Sequence, residues 1–210
     1  MKYFILFLFT INFTFSQNNY EDSIIDSAIN LFSNGNFEES IKEFEKLKSK
    51  KVERLDFYIK FSEANFRLGN IEKSIEIANQ GLLIDKKNYS LLMNLGLKYR
   101  FNRDINSSKM CYLKLVEYYP DDFQANIHLS NLLNQMDDFY PALKYAKIAF
   151  SKLKKEDVLY NDIKYSIAIL EYQLDNKVEA KKILQELVNS DYQISRDDLL
   201  NEFNIVKKIN

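Results

Sequence analysis

Apolar residues recur along this chain at the three- and four-residue spacing of a helix face. Leu92, Leu95 and Tyr99 form one such stripe, and after a short polar turn Ile105, Tyr112 and Leu115 form the next. The pair of helices joined by a turn is the unit, and the unit repeats. Gly35-Asn36-Phe37-Glu38-Glu39-Ser40 aligns with Gly69-Asn70-Ile71-Glu72-Lys73-Ser74, 34 residues on. Further steps of 34 reach Arg103-Asp104-Ile105-Asn106-Ser107-Ser108 and Asp137-Asp138-Phe139-Tyr140-Pro141-Ala142. A fifth copy, Asp175-Asn176-Lys177-Val178-Glu179-Ala180, follows after 38 residues, which implies about four inserted residues near Lys155 to Leu159. Self-similarity at such a period marks a stacked helical array.

Small residues keep the same beat. Ala28, Ser62, Gly96, Ser130 and Ala168 fall on the first helix of each pair, where it should cross the second. Twelve residues later come Ser40, Ser74, Ser108, Ala142 and Ala180. Small side chains at a crossing let two backbones approach while larger neighbours fill the flanks. One helix pair cannot bury its apolar faces alone, so successive pairs must stack.

The punctuation agrees. Asn36 with Glu39, and Asn176 with Glu179, match an N-cap residue followed three places later by a Glu that caps back. Pro120 ends the third unit, and Pro141 falls in a first helical turn, where a missing N–H is tolerated. Residues 195–209 read as one more helix, capped by Ser195 and Asp198, with Leu199, Leu200, Phe203 and Val206 on one face.

The pattern resembles the tetratricopeptide repeat (TPR). In that family small residues occupy two crossing positions, larger ones fill those between, and Pro often closes the unit. The third unit carries Leu92, Leu95, Gly96, Tyr99, Ser108, Tyr112 and Pro120 where the family pattern wants them. The first follows with Ala28, Leu31, Gly35, Phe37, Ser40, Phe44 and Leu47. The resemblance covers about residues 21–194. It implies an all-α, right-handed solenoid of about five helix-turn-helix repeats, at about 21–54, 55–88, 89–122, 123–156 and 161–194, closed by a capping helix over 195–209. Two units depart from the pattern. In the second, Asn65 and Ala78 stand where larger apolar residues are usual. In the fifth, Lys164 and Glu171 occupy normally buried positions, which leaves the register of its first helix open.

Composition narrows the function classes. The 210 residues are 46% hydrophobic and 28% charged, a globular mixture long enough to bury a sizeable core. Four Gly and two Pro are too few for a turn-rich β fold. Lys+Arg at 29 against Asp+Glu at 30 leaves no electrostatic footprint for nucleic acid, and the basic stretch from Lys46 to Arg54 reads as a solvated turn. Cys111 is the single cysteine, so no intrachain disulfide forms, and its helical context predicts a small packed residue.

Residues 1–16 read as a secretory signal peptide preceding a solenoid over 17–210. Lys2 supplies the positive start, an apolar run extends from Tyr3 to Phe15, and Thr14 and Ser16 place cleavage before Gln17. The run is too short to span a bilayer, which calls for about 20 apolar residues. The expectation is export to the periplasm with no stable membrane span after cleavage; the cell surface, the medium and a retained anchor are alternatives.

No catalytic or metal-ligating constellation emerges. His128 is the only histidine, and there is no Cys/His metal spacing, phosphate loop or nucleophile elbow. Carboxylate pairs such as Glu38-Glu39 and Asp121-Asp122 fall at helix starts, where the helix dipole favours them. The expectation is no enzyme and no cofactor.

TPR resemblance implies instead that the first helices line a concave groove that takes an extended peptide or a partner helix. Carried over, the groove positions of units two to four are Lys60, Glu63, Arg67, Asn94, Arg100, Gln124, His128, Asn131, Asn134 and Gln135. Side-chain amides suit an extended backbone because each offers a donor and an acceptor. The family's clamp for a terminal carboxylate is unsupported, since its first-unit positions hold Ile25 and Ile29. Apolar Ile25, Ile29, Phe32, Tyr165, Ile169 and Tyr172 take equivalent places in the end units, either as docking residues or as residues covered by flanking segments. The functional expectation is a protein-binding scaffold or assembly factor of the cell envelope. The alternative is an obligate structural subunit of an envelope or secretion complex.

Overall fold

A computed structural model describes residues 19–188. The signal segment expected over 1–16 and the closing helix expected over 195–209 lie outside the described residues. Within them every regular element is an α-helix. The first, α1, runs over 19–33, followed by α2 (Phe37–Glu45), α3 (Leu55–Arg67), α4 (Ile71–Ile84) and α5 (Tyr89–Phe101). Then come α6 (Ile105–Tyr118), α7 (Phe123–Gln135), α8 (Phe139–Phe150), α9 (Tyr160–Gln173) and α10 (Lys177–Val188). The chain divides into two compact units between Asp104 and Ile105, so α1–α5 belong to the first and α6–α10 to the second.

The turn inside each helix pair is the structural source of the period. Gly35, Gly69, Arg103, Asp137 and Asp175 all have positive φ, between 59° and 81°. In each turn the next residue's N–H reaches back five residues to a helix carbonyl: Asn36 to Leu31, Asn70 to Asn65, Asp104 to Tyr99, Asp138 to Leu133 and Asn176 to Glu171, all at 2.9 Å. This left-handed cap satisfies carbonyls that the helix end leaves free. Glycine takes the conformation without strain in the first two turns, and aspartate tolerates it in the last two.

Two kinds of helix start follow from backbone geometry. At Asn36, Asn70 and Asp138 ψ is 65–67°, and none of these side chains caps its helix. The capping box expected at Asn36 and Glu39 is therefore not made. At Asn88 and Asp122 ψ is 113° and 122°, and each side chain accepts a helix N–H, from Leu91 at 3.1 Å and from Ala125 at 2.7 Å. A side-chain cap needs an extended residue to aim its oxygen along the axis, and only the longer turns between pairs supply one. Asn176 spends its amide elsewhere, donating to Glu171 Oε2 at 2.7 Å.

The small crossing residues are all buried, and several are also hydrogen-bonded across the crossing. Ser40 donates to the Ala28 carbonyl and Ser130 to the Ala142 carbonyl, both at 2.8 Å. Ser62 and Ser74 donate to each other's carbonyls at 2.8 Å. Close approach thus brings each hydroxyl to a carbonyl, so a polar group enters the core satisfied. The larger core residues Phe44, Leu92, Leu95, Tyr112 and Leu115 are fully buried. Asn65, a departure from the family pattern, is buried with its amide donating to the Phe61 carbonyl at 2.9 Å. In the last pair Ala168 packs with Leu184 and Leu187, and Ala180 is fully buried twelve residues on. Glu171 is buried there too, held by Lys147 at 2.6 Å as well as by Asn176, while Lys164 reaches Glu186 at 2.6 Å. The two charged residues keep the repeat register by finding partners.

Gly81 on α4 marks the tightest approach. A Cβ there would lie 2.8 Å from Tyr58 Cβ and 2.8 Å from Leu91 Cδ1. Tyr58 Cβ moves only with α3 itself. Gly81→Ala is expected to destabilise by about 1–3 kcal/mol, outweighing a helix-propensity gain of about 1 kcal/mol. A thermal melt that shows the variant as stable as the parent would refute this packing.

Candidate functional site

The first helix of each pair carries the candidate groove residues, and the structure places all ten at the surface, exposed or half-buried. Unit one holds Lys60, Glu63 and Arg67 on α3 with Asn94 and Arg100 on α5. Unit two holds Gln124, His128, Asn131, Asn134 and Gln135 on α7. Asn94, Arg100, Gln124, Asn131, Asn134 and Gln135 engage no described residue through their side chains. These polar groups ride on rigid helices with their hydrogen-bonding capacity open to solvent.

Four of the ten have side-chain partners. Lys60 Nζ lies 4.9 Å from the centre of the Phe32 ring. Arg67 Nε donates to Glu63 Oε1 at 3.0 Å. His128 stacks on Tyr112, with ring centres 5.4 Å apart and planes 9° from parallel. Ring stacking orients the imidazole on the α7 surface.

One residue of this region is absent from the sequence-derived set. Lys98 on α5 is only 2% exposed, yet its ammonium makes no hydrogen bond to the described residues. Its nearest acid is Glu63, whose Oε2 lies 3.7 Å away, and the ammonium stands 5.5 Å over the Phe66 ring. Burial pushes this lysine below its ordinary pKa range, and Glu63 opposes the push. Phe66 in turn meets Phe101 edge-on, at 5.3 Å. A signal was present: the positions equivalent to Lys98 in the second, fourth and fifth repeats are Ala64, Leu132 and Leu170, all buried and apolar.

At the other end of the same helices the charge reverses. Arg54 binds Asp56 through two nitrogens, at 3.1 and 2.6 Å, and reaches Asp22 at 3.0 Å and Asp26 at 2.9 Å. The hydrogen bonds from Arg54 hold the Asp56 carboxyl below its usual range despite some burial. Ile25, carried over as a docking or covered residue, is buried at this end and is not available. The other five end-unit residues, Ile29, Phe32, Tyr165, Ile169 and Tyr172, are half-buried.

Outside these faces, Cys111 is buried, as its helical context predicts. An open cleft of about 430 Å³ lies on the second-helix side of unit two, between α6 and α8, with Asn126 at its floor. Among the described residues no group of His, Cys, Asp and Glu could hold a metal ion, and no helix is long and apolar enough to cross a membrane.

Comparison with known proteins agrees with this geometry. Residues 89–122 match the tetratricopeptide repeat family. A search of curated proteins finds no match. Among solved structures, MamA AMB-1 superposes with a TM-score of 0.64 at 19% identity, over 78% of this chain and 94% of that one. A tetratricopeptide repeat protein from Parabacteroides merdae gives a TM-score of 0.71 at 16% identity, over 85% of this chain and 72% of that one. A structure of Naa15/Naa10 bound to HypK-THB gives 0.62 at 19% identity, over 89% of this chain and 28% of that one. The fold is thus an all-α helix-turn-helix solenoid of the tetratricopeptide type.

Proposed function

We propose that this chain is an exported, non-catalytic interaction module of the cell envelope that holds a peptide or a partner helix on the first-helix face of its repeats. The observation that carries this reading is the set of unengaged polar side chains on the first helices of each unit, in a structure whose serines at the helix crossings are hydrogen-bonded. Rigid helices hold these donors and acceptors in place, which lowers the entropy lost when a partner binds. One of the similar solved structures is itself a complex, Naa15/Naa10 with HypK-THB, which favours proteins as the partner class. Export rests on the N-terminal apolar run, and the periplasm is the compartment it points to.

The test is a crosslinking pull-down from the native envelope, with the parent chain beside a variant carrying Arg100→Glu and Asn131→Ala. The parent is expected to capture a defined partner that the variant loses. A partner retained equally by both moves the interface off this face. A chain that is insoluble without one fixed partner supports the obligate-subunit reading instead.

A further inference from the structure

The C-terminal end of the α3–α5 face collects more positive charge than its one acid neutralises. Arg67, Lys98 and Arg100 lie in the last two turns of α3 and α5, and Glu63 is the single acid on the same stretch. Three cations against one carboxylate leave a net charge of +2. Glu63 is already shared, one oxygen to Arg67 at 3.0 Å and the other toward Lys98 at 3.7 Å. Arg100 engages no described residue through its side chain.

Lys98 is the telling member. Repeats two, four and five place Ala64, Leu132 and Leu170 at its position, so the fold accepts an apolar residue there. A buried ammonium without a hydrogen bond is less stable than such a residue, because desolvation outweighs one loose ion pair. Residues that oppose stability in this way concentrate where a protein binds something. A buried cation also projects its field farther than a hydrated one, since little water screens it. Beside it, the Phe101 ring is 69% exposed and rests edge-on against Phe66. A large apolar ring beside the unengaged Arg100 guanidinium is the composition of a binding hot spot.

We propose that this edge of the α3–α5 face anchors an acidic, aromatic-containing segment of a partner protein, with a partner carboxylate at Arg67 and Arg100 and an apolar side chain on Phe101. Lys98 acts from beneath as a positioning residue, keeping the potential positive where Glu63 would otherwise neutralise it. The inference rests on the first-helix face being the binding face, and it adds the chemistry of the partner.

The experiment measures binding of the full chain to three pools of dodecapeptides, capped at both ends and equal in Phe and Leu content. One pool is rich in Asp and Glu, one in Ser and Asn, one in Lys. The acidic pool is expected to bind at least tenfold more tightly than either other pool, and to weaken steeply with added salt. Arg67→Ala with Arg100→Ala should remove that preference. Lys98→Met should weaken acidic-pool binding several-fold while raising the unfolding temperature, a combination that a merely structural lysine would not give. Equal binding of all three pools, no binding of the acidic pool, or an unchanged preference in the arginine variant overturns the proposal. The pull-down reports separately on the face itself. A partner lost with Arg100→Glu and Asn131→Ala but lacking an acidic segment would sink this inference and leave the binding face standing.

Discussion

Phe44→Ala is expected to lower stability by about 3–5 kcal/mol, the usual range for emptying a phenylalanine site in a closed core. Phe44 on α2 is fully buried and stacks on Phe61 at 5.3 Å while meeting Phe57 edge-on at 5.4 Å. Both partners belong to α3, so these rings are the joint between the first helix pair and the second. In a chain of this length the loss corresponds to a fall in Tm of roughly 6–20 °C. The damage should also be local. Stacked repeats are stabilised by their own folding and by contact with neighbours, so α1 and α2 should exchange amide hydrogens faster while α9 and α10 keep their protection. Uniform loss of protection across both units would show that cooperativity extends through the whole chain and would contradict this localisation.

Much of this architecture was legible because the constraint behind it is local. Each left-handed turn fixes where one helix stops, and each small pair fixes where two helices cross. Both features recur at Gly35, Gly69, Arg103, Asp137 and Asp175 and at the residues around them. The misjudged cap at Asn36 shows the limit. Asn followed by Glu three places on is a sound signal when the cap residue is extended, as Asn88 and Asp122 are. The tight turn after Gly35 instead fixes Asn36 at ψ 67°, and the motif cannot form. Backbone geometry set by one glycine overrides the side-chain pattern beside it.

Family spacing put ten candidate residues on the first helices, where the structure has them exposed or half-buried. It missed Lys98 because spacing assigns that position to the core, and the core is where the residue lies. Only its comparison with Ala64, Leu132 and Leu170, together with its distance to Glu63, exposes it as a charge in an apolar slot. Ile25 takes the covered alternative: its position is equivalent to a groove position, yet it is 1% exposed. Such reversals depend on the sizes of neighbouring side chains, which a repeat pattern averages away.

The pair Lys147 and Glu171 offers the second large effect and separates partner loss from charge burial. Glu171 on α9 is 3% exposed and accepts from Lys147 on α8 at 2.6 Å and from Asn176 at 2.7 Å. Lys147→Met removes the only cation held against this carboxylate among the described residues. Breaking a buried pair from one side costs about 3–5 kcal/mol. Lys147 is itself 55% exposed, so water can enter along its path and the expected loss is about 2–3 kcal/mol. Adding Glu171→Leu should restore most of it, because Leu31 and Leu133 hold the same position in the first and fourth repeats. The double variant is then expected within about 1 kcal/mol of the parent, a strongly non-additive cycle. Equilibrium denaturation of the four proteins decides the point. Additive losses would mean that Glu171 serves the fold through its bond to Asn176, which steadies the turn before α10, and that the ion pair contributes little. A restored double variant would mean that this repeat carries a charged pair where the first and fourth repeats carry a leucine, and that its register is set by the backbone turn.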